Sequence, residues 1–301
     1  MVSTISLEVL LLERWNMAES PSSASGLCPQ ESTCKYEEGI ETLRRPNRGA
    51  IIAARSGRHF NQQVDTLGAD VLLYFCWFST GLLDSTVFNA YRIFVLMQTG
   101  NLVFMGLDTS HNRVSIQPYG WVKSLSSFVA FLIGCVFFSH LGLLVGSPAH
   151  PRRRLTLFLS FSIQTMFIFL AAILIETGVV ESSIDINQDL FGWLDLVPIV
   201  LLSIQGPGQI LAGRQLALSE MPTVVASIMM YDFVSDNKLF ARSNVRRTRR
   251  FVGVVAMFVG AVCGGWIVDR LRHITVALWV AGAVKACIAI SWLLWPQSES
   301  N

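Results

Sequence analysis

Two ionisable residues lie deep within apolar stretches of this sequence, where a charged side chain is costly. Asp84 stands towards the end of the first long apolar segment, and Lys285 is near the middle of the last one. Within a membrane such residues face the interior of a helix bundle or a water-filled cavity, and they mark paths for ions, protons or polar solutes. We therefore expect both side chains to point into the protein.

The sequence leaves two alternatives open for each of these residues. Asp84 either belongs to a site for a proton, a cation or a polar solute or, with Ser85 and Thr86, caps a helix. Lys285 either interacts with Asp84, directly or through water, or bonds only to backbone carbonyls and glutamine side chains. Asp84 is the only acid deep in an apolar segment, so it is the one candidate for an ion pair.

A small polar sequence, Thr99, Gly100 and Asn101, follows a short apolar stretch after Asp84. It predicts a turn with a hydroxyl, a side-chain amide and exposed backbone amides. Irregular backbone at membrane depth survives only where protein covers it or water reaches it. The functional interpretation is a re-entrant tip that lines a cavity, and the alternative is a surface turn.

Glycine and proline indicate two helix breaks. We predict one at Gly81, in the first apolar segment, and one in the fourth at Gly206, Pro207 and Gly208, because such residues commonly kink helices. Gln209, beside the second break, is the polar residue of the second half that corresponds to Asp84 in the first half.

The composition requires a membrane protein. The chain has 301 residues, of which 52% are hydrophobic and 15% charged, whereas about 25% of the residues of a soluble domain are charged. Six apolar runs are long enough to span a bilayer, while the stretches 93–107 and 216–233 are shorter or interrupted and are not counted as crossings. The predicted spans are 69–91, 121–146, 155–177, 191–213, 250–269 and 273–295.

The predicted organisation is a polar tail, a membrane domain and a short end. Residues 1–67 are predicted to be a disordered cytosolic tail, and 296–301 a short cytosolic tail. The polytopic membrane domain covers 68–295, with a first half at 68–180 and a second half at 188–295.

Basic residues in the connections indicate the orientation. With six spans, the tail and the second-to-third and fourth-to-fifth connections, all rich in Arg or Lys, lie on one face. The positive-inside rule makes that face cytosolic. Both termini are therefore predicted to be cytosolic, in a membrane that the rule does not identify.

The two halves share a weak pattern. Gly-x-x-Asp at 81–84 corresponds to Gly-x-x-Gln at 206–209, and Gln164 and Lys285 take the same place in the third and sixth spans. Rows of small residues in the second and fifth spans would let helix backbones approach closely. With three crossings in each half the second half is inverted, as in many secondary transporters with midplane sites. The alternative is a chance likeness between two membrane bundles. The rows are Ser126, Ala130 and Gly134, and Ala256, Gly260 and Gly264.

The pattern G-x-x-D at 81–84 followed by M-x-T-G-N at 97–101 resembles the YoaK-like integral membrane proteins, the family of domain of unknown function DUF1275. Gly206-x-x-Gln209 resembles the G-x-Q-N element of that family, with Ile210 where Asn is usual. The resemblance covers about 68–295. It implies an integral membrane protein of about six spans and supplies no substrate.

Together these patterns predict an all-α membrane protein of about six transmembrane helices, arranged as two inverted three-helix repeats with short re-entrant or broken helices. The predicted function is a secondary transporter or permease of a small solute, with a polar site between the halves. The alternative is a non-transporting membrane scaffold or regulatory protein. The hypothesised solute- or ion-binding residues are Asp84, Thr99, Gly100, Asn101, Gln209 and Lys285.

No motif predicts an enzyme. The sequence has no phosphate loop, nucleophile elbow, metal-ligand spacing or pair of carboxylates, so we predict no catalytic residue, no metal and no cofactor. The expected partners are the lipid bilayer and a small solute, with a proton or a cation as a candidate for coupling, and a homo-oligomer is compatible with the sequence. The basic cluster at 246–250 is interpreted as facing lipid rather than nucleic acid.

Overall fold

The computed structural model contains eight α-helices and one 3-10 turn, and no strand, in the residues that it describes. Those residues are 60, 62–110, 119–145, 152–180, 192–218, 226–237, 241 and 243–297. The helices are α1 (Ala69–Tyr91), α2 (Gln98–Thr109), α3 (Gly120–Val145), α4 (Arg154–Glu176), α5 (Leu196–Gln215), α6 (Ala226–Val234), α7 (Val245–Leu271) and α8 (Thr275–Leu294). The 3-10 turn, Trp193–Asp195, leads into α5.

Six of these helices are long and apolar enough to cross a membrane, which confirms the predicted number of spans. The start of α7 differs from its prediction, at Val245 instead of 250. The two remaining helices, α2 and α6, have 12 and 9 residues, and at 1.5 Å per residue they reach only about 18 Å and 14 Å. The stretch 93–107 therefore holds no crossing helix, and neither do the described residues of the stretch 216–233.

Each long helix of the first half has a main neighbour in the second half. The most extensive contacts join α1 with α7, α4 with α8 and α3 with α5. Smaller contacts join α4 with α5 and α8 with α1, while α2 packs on α3 and α6 packs on α7. The two halves are thus interleaved in one bundle.

Small residues allow the closest of these helix contacts. A Cβ atom on Gly260 of α7 would overlap the backbone carbonyl of Phe78 in α1. A Cβ atom on Gly134 of α3 would likewise overlap the carbonyl of Ile204 in α5. Such direct backbone approach is what small residues permit in membrane helices, and it confirms the predicted role of Gly134 and Gly260 in the two rows.

The predicted helix breaks at Gly81, Gly206, Pro207 and Gly208 are wrong, because α1 and α5 run through these positions. Gly81 is instead a contact point, where a Cβ atom would overlap the carbonyl of Met257 in α7. In α5, Gly206 leaves room for the side chain of Leu96, and Gly208 leaves room for that of Gln164. Proline within a membrane helix is tolerated where surrounding groups satisfy the freed carbonyl.

The residues that precede α1 are fixed at one end of the bundle. The N–H of Val64 donates to the carbonyl of Arg152 at 3.1 Å. The buried guanidinium of Arg154 donates to Gln62 Oε1 at 2.9 Å and to the carbonyl of Trp295 at 2.6 Å. The α3–α4 connection and the end of α8 therefore meet here, as six crossings require. The last residues of the predicted disordered tail are ordered, while most of that tail lies outside the described residues.

Candidate polar site between the helices

Asp84 holds an unwound segment, residues 92–97, inside the bundle. Its carboxylate is buried, with 3% of the residue exposed, and Oδ1 accepts hydrogen bonds from the N–H groups of Val95 and Leu96, both at 2.9 Å. Asp84 is seven residues before the end of α1 at Tyr91, which places it about 10 Å inside that end. The chain therefore turns back into the bundle after α1. The carboxylate therefore caps the unwound segment, which follows later in the chain. It does not cap α1, the helix that contains Asp84.

Asn101 holds the same segment from the first turn of α2. Its Oδ1 accepts from the N–H of Phe94 at 2.9 Å, and its Nδ2 donates to the carbonyl of Phe94 at 2.6 Å. Ser127 of α3 also donates to that carbonyl, at 2.8 Å, and lies 2.9 Å from Ser203 of α5. Protein groups thus satisfy the irregular backbone, as membrane depth requires. We call Asp84, Asn101, Ser127 and the unwound segment the Asp84 cluster.

The chain then returns along α2 to the end of the bundle where α1 finished. A Cβ atom on Gly120, at the start of α3, would lie 2.5 Å from Oδ2 of Asp108, near the end of α2. The unwound segment and α2 together form a re-entrant hairpin. This confirms that 93–107 turns back instead of crossing.

Thr99 and Gly100 do not join the Asp84 cluster. Thr99 is exposed in the first turn of α2, and Gly100 packs on the ring of Phe94. The predicted turn at 99–101 is therefore wrong, because these residues are helical and the irregular backbone precedes them. Of the three, Asn101 alone is buried.

A second buried group of polar side chains is centred on Lys285 of α8. Nζ of Lys285 donates to Oε1 of Gln164 at 2.8 Å and to Oε1 of Gln209 at 2.6 Å. Gln209 donates to Thr80 Oγ1 at 2.8 Å, and Gln164 donates to Ser160 Oγ at 3.2 Å. We call these five residues the Lys285 network. It joins α1, α4, α5 and α8, and the lysine and both glutamines are 0% exposed.

Asp84 and Lys285 do not pair directly. No acidic side chain of the described residues forms an ion pair with Lys285, whose Nζ lies 5.3 Å from the centroid of the Phe161 ring. The predicted direct contact is wrong and the glutamine alternative is confirmed, while an interaction through water stays a prediction. Thr80 and Asp84 are four residues apart on α1, so the two groups are one helical turn apart on the same face.

The second carboxylate oxygen of Asp84, Oδ2, has no hydrogen-bond partner among the described residues. A buried carboxylate with one oxygen bonded and one free can accept a proton or bind a small cation. In the Asp84 cluster, Oδ2 of Asp84 is therefore the atom at which a proton or a cation can bind.

A buried basic residue lies at each end of the bundle. Arg154 lies at the end that holds residues 62–67. At the opposite end Lys123 of α3 lies 5.8 Å from the centroid of the Tyr91 ring and interacts electrostatically with Asp195.

The sequence patterns missed Thr80, Ser127 and Ser203, which are hydroxyl residues within apolar spans. Of the three, only Thr80 could have been found from the sequence, since it precedes Asp84 by one helical turn. The sequence also pairs Met97-x-Thr99 with Met221-x-Thr223, and Thr223 lies outside the described residues.

A family model described as "Protein of unknown function (DUF1275)" matches residues 72–291. The match begins in the first turn of α1, ends near the end of α8 and includes both polar groups. No curated protein matches the chain, and no solved structure does.

Proposed function

The chain belongs to the DUF1275 family, and from that premise and the two buried polar groups we propose that it is a secondary transporter of a small solute and not an enzyme. The solute binds between the halves of the bundle, and Asp84 binds the proton or cation that drives its movement. One observation carries the proposal: the unwound segment is held inside the bundle by a carboxylate whose second oxygen is free. Discontinuous helices with such deep polar groups form the sites of many secondary transporters.

The helix contacts support an inverted repeat. A repeat would relate α1 to α5, α2 to α6, α3 to α7 and α4 to α8. The contact of α1 with α7 then corresponds to that of α5 with α3. The contact of α2 with α3 corresponds to that of α6 with α7, and the pair of α4 and α8 corresponds to itself. This exchange of contacts is what a two-fold relation between the halves would give.

The Asp84 cluster suggests how binding would be coupled to movement. A charged carboxylate accepts stronger hydrogen bonds than a neutral one. Binding a proton or a cation at Oδ2 would therefore weaken the hold of Asp84 on the N–H groups of Val95 and Leu96. The unwound segment would be released to move, and one half would rock against the other.

The burial of the polar groups favours a second candidate, a non-transporting membrane scaffold. Lys285 and both of its glutamine partners are 0% exposed and link four helices. In that function the polar groups would only hold helices together.

Both termini are proposed to be cytosolic on the charge pattern of the connections.

The two functions are separated by currents from the purified protein in proteoliposomes on a solid-supported membrane. A panel of small organic acids, amines, sugars and nucleosides would be applied to the wild type and to Asp84→Asn. The transporter proposal expects a current for at least one solute and its loss in Asp84→Asn, with thermal unfolding in detergent still cooperative.

Asp269→Asn is the matched control, because Asp269 is an exposed acid near the end of α7. Its current should equal that of the wild type. An Asp84→Asn protein that carries the full current contradicts the role of Asp84. A wild type that is silent to every solute, together with an Asp84→Asn protein that does not fold, supports the scaffold.

A further inference from the structure

The Lys285 network contains a buried basic group and no acidic member, and Asp84, the buried acid one turn away on α1, forms no ion pair with it. The acceptors of Nζ are two neutral amide oxygens, at 2.8 Å and 2.6 Å, and no acidic side chain of the described residues pairs with it. A buried ammonium group without a counter-charge is costly. An anion that entered the network would supply the missing charge.

The glutamine neighbours of Lys285 also carry donors for an anion, which in this structure donate to Ser160 Oγ and Thr80 Oγ1. Each glutamine that now offers its Oε1 to Nζ also carries an Nε2 amide group, and rotation of the amide exchanges the two. Lys285 and the amides of Gln164 and Gln209 would then donate together to one ligand. Every donor would come from a different helix, so the ligand would link α4, α5 and α8.

The surroundings favour a small organic ligand. The ring of Phe161 covers one side of Nζ at 5.3 Å, and Cys76, Phe161 and Ile288 belong to one buried apolar cluster. Apolar surroundings of this kind suit a ligand with an apolar body and one charged end. Because the network holds a single basic residue, its charge matches a monoanion.

We propose that the Lys285 network binds a small organic monoanion of the carboxylate class, with Lys285 as its counter-charge. The inference deepens the proposed transporter function by naming its solute class, and it assigns separate places to the solute and to the proton or cation at Asp84.

The test measures binding, so it does not depend on transport. Thermal unfolding of the purified protein in detergent would be recorded with sodium acetate, lactate, pyruvate or benzoate, and with acetamide, lactamide, pyruvamide or benzamide in sodium chloride of equal ionic strength. A ligand that binds only the folded protein raises the unfolding temperature, and the rise grows with the logarithm of the ligand concentration once that exceeds Kd. We expect at least one carboxylate to raise it and the corresponding amide not to.

The decisive variant is Gln209→Glu, which keeps the shape of the side chain and places a carboxylate where Oε1 lies 2.6 Å from Nζ. This built-in counter-charge should abolish the response to the carboxylates. Lys285→Met should also lose the response. Gln215→Glu, a half-buried position near the end of α5, is the matched control and should respond like the wild type.

The inference is overturned if no carboxylate stabilises the wild type more than its amide does, or if Gln209→Glu responds like the wild type. Carboxylate binding that Gln209→Glu abolishes, in a protein that carries no current, leaves the anion site standing and contradicts transport. A current for other solutes without any response to carboxylates has the opposite meaning: transport stands and the anion site is wrong.

Discussion

The Asp84 cluster and the Lys285 network lie one turn apart on α1 and differ in what their side chains bind. In the Asp84 cluster, Asp84 and Asn101 bond to peptide groups of the unwound segment. In the Lys285 network, the lysine and its glutamines bond to other side chains between intact helices. Peptide groups that are buried without helical partners must be satisfied, so the first arrangement is needed for the fold. Nothing in the helices requires the second, which points to a role in binding.

Within the Asp84 cluster, the largest expected effect is that of Asn101→Ala. The substitution removes the partner of the N–H of Phe94 and one of two donors to its carbonyl. Leaving buried backbone groups unsatisfied should lower the free energy of unfolding by about 2–4 kcal/mol. Chemical unfolding in mixed micelles would measure this loss, and hydrogen exchange should be fastest in residues 92–97.

Thr99→Ala is the control, because Thr99 is exposed in the same helical turn. Its effect should stay within about 0.5 kcal/mol, as for most exposed substitutions. Equal effects at the two positions would mean that Asn101 does not hold the unwound segment, and the contrast between the two polar groups would then be lost.

A sequence can predict the spans of this protein because length and apolar content alone decide them. The polar groups were harder to predict. Gly206 and Pro207 weaken an isolated helix, yet α5 continues through them because the bundle surrounds it, and a Cβ atom on Gly206 would overlap the side chain of Leu96. The partner of Asp84 was missed for a related reason. It is a pair of backbone N–H groups 11 and 12 residues further along the chain, which no side-chain pattern marks.

A smaller effect is expected at the point where the Asp84 cluster contacts the second half. Ser127 donates to the carbonyl of Phe94 and bonds to Ser203 of α5. Ser127→Ala should cost about 1 kcal/mol, the usual net value of a buried hydrogen bond. The measurement is again chemical unfolding in mixed micelles.

Ser124→Ala is the matched control on the same helix. Ser124 is buried, and its hydroxyl has no hydrogen-bond partner among the described residues. Removing an unpartnered polar group should leave stability unchanged or raise it slightly. If Ser124→Ala were as harmful as Ser127→Ala, the hydroxyl bonds of Ser127 would not explain its contribution.

The smallest effect on stability is expected when the charged centre of the Lys285 network is replaced as a unit. A protein with Gln164→Leu, Gln209→Leu and Lys285→Met keeps side chains of similar volume. Thr80 still donates to the carbonyl of Cys76, at 3.0 Å. Replacing buried charged groups by well-packed apolar ones is often neutral or stabilising. We expect the free energy of unfolding to change by less than about 1 kcal/mol, while the response to carboxylates is lost.

Lys285→Met alone should be less stable than this triple variant, because it leaves the Oε1 atoms of Gln164 and Gln209 without their donor. Each unsatisfied buried acceptor costs about 1–3 kcal/mol, so the two glutamine substitutions should restore stability when added to it. Substitutions of residues in one hydrogen-bonded network are expected to be non-additive in this way. If the triple variant instead unfolds as readily as Asn101→Ala, the Lys285 network is as necessary to the fold as the Asp84 cluster. The physical reason for assigning it to solute binding would then be gone.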